Sequence, residues 1–137
     1  MFGHDIIYEH PMSQGASIGR TAERDFLAFA HSVSQLDGGV YLSVGSAVMS
    51  PMIFEKSLSM ARNAARRDTP TLQDIHIAVV DLAASDWDWA QGEPPEDDPA
   101  YYLRYNKSFA RAGATFRYIQ ANNRDFLLAL YQALSSG

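Results

Sequence analysis

The run DIHIAVVDLA, residues 74–83, decides the fold: it is apolar for most of its length and follows the break at Thr69-Pro70. A strand with one wet face alternates polar and apolar residues, whereas a strand buried on both faces reads as a nearly unbroken apolar run. The run therefore predicts a strand covered on both sides, and with it a parallel sheet layered with helices. His76, near its start, reads as a strand-start histidine facing a helix.

Upstream, TAERDFLAFAHSVSQLDGG (residues 21–39) places Phe26, Phe29, Ala30, Val33 and Leu36 at the three-and-four spacing of one helical face. Thr21 is the predicted N-cap and Gly38-Gly39 the stop. His31, between the apolar positions, reads as a boundary or surface histidine. GVYLSVG (residues 39–45) is a short β-branched strand, with Val40, Leu42 and Val44 on one side and Tyr41 and Ser43 on the other. SAVMSPMIFEKSLSMARNAARRD (residues 46–68) predicts a second helix with Ser50 as N-cap and Pro51 at its first position. Its expected buried stripe is Met52, Ile53, Leu58, Ala61, Ala64 and Ala65, with the methionines, Met60 among them, filling gaps in the core. Arg62, Arg66 and Arg67 fall late in this helix, where they complement its dipole.

Downstream, ASDWDWAQGEPPEDDPA (residues 84–100) carries six acidic residues and no basic one, with three prolines and a glycine, and reads as a long solvated loop. Trp87 and Trp89 within it either clamp the loop to the body or join a contact surface. The remainder offers two short strand-like pieces around Ala112-Gly113 and a closing helix from about Asn123 to Leu134, with Leu127, Leu128, Tyr131 and Leu134 on its apolar side. The order helix, strand, helix, strand, strands, helix gives an α/β layered fold in one domain of 137 residues. A chain of this length buries roughly 70% of its unfolded surface and needs no disulfide or structural metal to fold.

Composition excludes several chemistries. The absence of cysteine removes thiolate metal sites, iron–sulfur clusters and cysteine nucleophiles. No apolar run approaches the ~20 residues that span a bilayer, and the N-terminal residues lack the order of a signal peptide, so the expected location is cytoplasmic. A formal net charge of −5 argues against a nucleic-acid surface.

In open parallel sheets, ligands sit beyond the carboxyl ends of strands, often at helix N-termini. VGSAVMSP (residues 44–51) joins a strand to a helix there, although it is neither a GxGxxG fingerprint nor a P-loop. Gly45 and Ser46 are its candidate contacts for a small anionic or nucleotide ligand, and Asp81, at the end of the most buried strand, is the third. In MFGHDIIYEHP (residues 1–11), His4, Asp5, Glu9 and His10 are close in sequence, but no HExxH or HxH spacing fixes them around a metal. No metal is expected. A Ser-His-Asp triad lacks the G-x-S-x-G elbow that would present its serine.

GHDIIYEHPMSQGASIGRTAERDF (residues 3–26) resembles a segment of bacterial deoxyhypusine synthase-like proteins that runs Gly-Thr-Asp-Ile-Ile-His-x-His-Pro-x-x-Asp-Gly-Ala-x-Ile-Gly, then Arg-Asp-Phe. The likeness continues through GGVYLSVGSAVMSPMIFEKSLSMARN, the strand ending at Asp81, DPAYYLRYNKSFAR and YIQANNRDFLLALY. Gly3, Asp5, His10, Pro11, Gly15, Ala16, Gly19, Arg24 and Asp25 match, while His4, Tyr8, Gln14 and Asn123 stand where the family shows Thr, His, Asp and His. The resemblance implies a partial Rossmann-like parallel sheet lacking the family's N-terminal half. An edge left open by a missing strand calls for a second copy or a separately encoded half. It also implies NAD as the candidate cofactor, by analogy with a tetrameric NAD-binding synthase. Loss of ionisable groups with retention of glycines favours a binding or assembly module over full catalytic machinery, with a polar cleft of Asp5, His10, Ser46 and Asp81. The alternative is a subunit of an NAD-linked transferase completed by another chain, with His10 moving the proton and Asp5 orienting it or binding a cationic substrate. A third reading is a truncated product held folded by self-association.

Overall fold

The computed structural model describes residues 5–46, 48–65 and 72–136. Three parallel strands, β1 (Val40–Val44), β2 (His76–Asp81) and β3 (Thr115–Gln120), form one sheet in the order β1-β2-β3. Val40 lies opposite His76, and His76 opposite Thr115. Four helices accompany them: α1 (Gly15–Ser34), α2 (Met49–Ala64), α3 (Arg104–Ala110) and α4 (Asn123–Ser135). The fold is therefore α/β with a parallel sheet, as expected. No helix among the described residues is long and apolar enough to cross a membrane.

One face of the sheet carries an aromatic core. Tyr41 of β1 stacks on Phe54 of α2 with ring centres 4.3 Å apart, and Phe109 of α3 stacks on Phe116 of β3 at 6.3 Å. Ile77 and Val79 fill the floor between them, and α1 adds Val33. Arg62 of α2 ties the layers together by donating to the carbonyls of Leu72 and Ala112, at 3.0 and 2.9 Å. Arg62 also stands in the last turn of α2, as expected; Arg66 and Arg67 lie outside the described residues.

Several boundaries move. The first helix starts at Gly15 rather than Thr21, and the Thr21 hydroxyl bonds back to the Ser17 carbonyl at 2.8 Å, a habit of helix interiors. In α2 the buried side chains are Pro51, Phe54, Ser57 and Leu58, while Met52, Met60, Ala64 and Ala65 are exposed. The stripe is turned by one position because Phe54, the largest side chain available, takes the place against Tyr41. The first of the two strand-like pieces near Gly113 is helical: Phe109 is fully buried from α3, and tertiary packing overrides its strand preference.

The acidic segment is clamped. Trp89 is buried edge-on against Phe116, and the Trp87 indole donates to the Gly92 carbonyl. Asp88 and Asp98 accept from the backbone N–H groups of Ala90 and Ala100, starting two short 3-10 turns. Glu93 reaches Lys107 at 3.2 Å and Arg111 at 3.0 Å.

The second face of the sheet is the main departure. β2 is covered on one side and only partly on the other: Val80 is fully buried, but His76 is exposed and Ala78 half-buried. His76 thus faces water rather than a helix, 3.5 Å from Asp74. In β1 the apolar side is the wet one, with Val40 60% and Leu42 40% exposed while Ser43 is 2% exposed. Val40, His76, Ala78, Thr115, Arg117 and Ile119 line a shallow depression of about 400 Å³ on this face. α4 touches β2, yet none of its residues is buried.

Glu93 sets a pH dependence. Arg111, then Lys107, holds its carboxyl below the usual carboxylate range. Its contribution is complete above the unfolded-state pKa and is lost as pH falls through the lowered folded value. Glu93→Gln should therefore melt below the parent at neutral pH, with the gap narrowing as the pH is taken down through the lowered carboxyl value. Thermal melts across that range check this; a constant gap would show that the ion pairs contribute nothing.

Candidate functional site

The carboxyl ends of all three strands meet the start of α4. β1 ends at Val44, and Gly45 follows with φ +68°, a conformation that disfavours side chains. Its N–H donates to the Val80 carbonyl at 3.1 Å, extending the ladder by one bond. The space that a Cβ at Gly45 would need is filled by the Asn123 amide. Gly45 is thus required twice, by its own backbone and by its neighbour.

Ser46 does the capping expected of Ser50. Its hydroxyl accepts from the Ser50 N–H at 3.1 Å, satisfying a free donor in the first turn of α2. Ser50, inside the helix, is freed for a chain of hydroxyls: it meets Tyr41 and Ser43, each at 2.7 Å. Burial pushes the Tyr41 phenol up from its ordinary value, and the Ser50 hydrogen bond offsets part of that. At the end of β2 the Asp81 carboxylate accepts from the N–H groups of Leu82 and Ala83, at 2.6 and 3.4 Å, and its carbonyl accepts from Ala121. Asn122 caps α4 through the Arg124 N–H at 2.9 Å. The Asn123 Oδ1 is buried with no hydrogen-bond partner among the described residues.

Of the expected cleft of Asp5, His10, Ser46 and Asp81, Ser46 follows β1 and Asp81 ends β2, its neighbour in the sheet, while Asp5 and His10 precede α1. Asp5 opens a 3-10 turn (Asp5–Glu9), and His4 lies outside the described residues. His10 is exposed, and its Nδ1 accepts from the Met12 N–H at 3.2 Å. It lines a groove of about 560 Å³ with Ile6, Ile7 and Met12, and neither Ser46 nor Asp81 takes part in it. His31 is exposed in the last turn of α1. Among the described residues, no three His, Asp or Glu side chains converge on a point that could hold a metal ion.

Asn122 and Asn123 are the residues of this edge that sequence reasoning passed over as site-forming. Their signal was an Asn-Asn pair directly before an apolar run, a helix-start pattern.

Compared with family models, with curated proteins and with solved structures, the chain finds no match. The deoxyhypusine synthase-like likeness thus rests on the quoted residues alone. A pyrophosphate cradle needs free N–H groups and room above a glycine. Here Asn123 fills that room, and Ser46 and Asp81 direct their oxygens at N–H groups of their own turns.

Gly45→Ala is expected to cost on the order of 1–3 kcal/mol, from the positive φ and the collision with Asn123. Adding Asn123→Ala should recover the part due to collision and leave the backbone part. Urea midpoints of the single and double variants measure both; equal losses would assign the whole requirement to φ.

Proposed function

We propose that this chain is a small cytoplasmic α/β assembly module, active as part of a larger particle in which another polypeptide covers its open sheet face. One observation carries the reading: a parallel sheet has helices on one face, while Val40 and Leu42 stand in water on the other. Parallel sheets occur almost only with both faces covered. The finer reading takes the chain as one half of a Rossmann-like, deoxyhypusine synthase-like body, and it is supported by the two glycine-rich blocks at residues 3–26 and 38–63.

A second reading is favoured by the position of Gly45, Ser46, Asp81 and Asn123 at the carboxyl edge. In it the chain supplies half of a site for a small anionic or nucleotide ligand, completed by a neighbouring chain in an NAD-linked transferase. The internal use of these residues' hydrogen bonds makes it the weaker of the two.

Light scattering on the purified chain tests the first reading. The expected mass at micromolar concentration is at least twice the 15.2 kDa of one chain, and a clean monomer would overturn self-assembly. Calorimetric titration of the assembled protein with NAD tests the second: heat that saturates supports it, and none at millimolar NAD removes it.

A further inference from the structure

Helix α4 has the wrong surface for the place it occupies. Eight of the nine residues from 126 to 134 are apolar, Gln132 being the exception, and the stretch carries no charge. A helix that is apolar all round belongs in an interior. Yet Leu127 and Leu128 are half-exposed, and Tyr131 and Leu134 are 71% and 75% exposed.

The two anomalies fit each other in number. Among the described residues, each chain has one sheet face that is covered at Val80 but open at Val40 and Leu42, and on α4 one apolar side that stays exposed. A twofold contact presents the same patch from both partners, so a single symmetric contact can satisfy both needs in both copies. A second copy therefore needs no further feature that the chain does not show.

The areas agree. A standard interface removes ~800 Å² from each partner. Val40, Leu42, Leu127, Leu128, Tyr131 and Leu134 present on the order of 600–700 Å² of accessible surface, enough for the apolar centre of such an interface.

We propose that α4 of one copy lies across the open sheet face of a second copy, against the partner's Val40 and Leu42, and that the partner's α4 does the same in return. This rests on the assembly reading and names what covers the face. The contact is apolar at its centre, so its strength changes little between low and high salt.

The chain has no cysteine, so introduced ones report cleanly. Leu42→Cys and Leu134→Cys chains, mixed and treated with a short bis-maleimide, should join into a covalent pair of the two different chains. Leu134→Asp and Tyr131→Asp should each weaken the dimer at least tenfold by sedimentation, while Met60→Asp, on the outer side of α2, should leave it unchanged. None of the α4 side chains is buried within its own chain, so these changes remove no core. An oligomer that gives no Leu42–Leu134 cross-link, or that tolerates both α4 substitutions, overturns this arrangement and leaves the assembly reading standing. A clean monomer overturns self-assembly and this arrangement with it.

Discussion

A parallel sheet is stable with both faces covered, and the described residues cover one face fully and the other only in part. The reason lies in the connections: parallel neighbours cannot be joined by a tight hairpin, so each crossover carries a helix back over a face. Two crossovers are present here, and their helices α2 and α3 both meet the aromatic side of the sheet through Phe54 and Phe109. Of the described helices outside the crossovers, α1 packs on α2 and α4 touches β2, and Val40 and Leu42 stay exposed. The wet Val40 and Leu42, the exposed His76 and the bare surface of α4 all follow from that one shortage.

The covered side shows how much polar chemistry such a core tolerates when it is partnered. Ser43 is almost fully buried on a face of aromatic rings, and its hydroxyl is satisfied by Ser50, which also meets Tyr41. An unpaired hydroxyl there would cost about 1–3 kcal/mol, so the chain of hydroxyls is what allows a serine under the start of α2. Ser46 makes this arrangement available by taking over the cap. The carboxyl edge is in this sense built to hold the helices in place, and its oxygens are committed to that task.

The sequence made the parallel sheet, the strand at Val40–Val44, the body of α1 and the closing helix legible, because each rests on local periodicity. Sidedness was harder to read. The alternation in VYLSV says that two faces differ, but not which one receives the helices, and the apolar run in β2 implied two covered faces when one chain covers only one in full. The same limit hid the stripe of α2, where Phe54 rather than Met52 turns inward because Tyr41 offers it a ring to stack on. At the site, Gly45 was visible as a glycine after a strand, but its reason is Asn123, seventy-eight positions later, and no local pattern connects them.

Charge placement removes the remaining objection to association. A net charge of −5 on each copy would oppose a dimer if the acids lay near the contact. Six of the sixteen acidic residues fall in the segment 84–100. That segment is anchored by Trp89 on Phe116, whose ring lies on the covered face, and by Glu93 on Arg111 and Lys107 near α3. Its charge therefore sits on the far side of the sheet from Val40 and Leu42. Adjacent layers stand about 10 Å apart, which already exceeds the screening length of about 8 Å at physiological salt. Repulsion between these segments in a face-to-face pair is thus small beside the burial of the α4 leucines, at ~25 cal/mol for each Å² of apolar surface removed from water. The open face itself carries Arg117 and His76, the latter 3.5 Å from Asp74, so positive groups stand there beside the negative one.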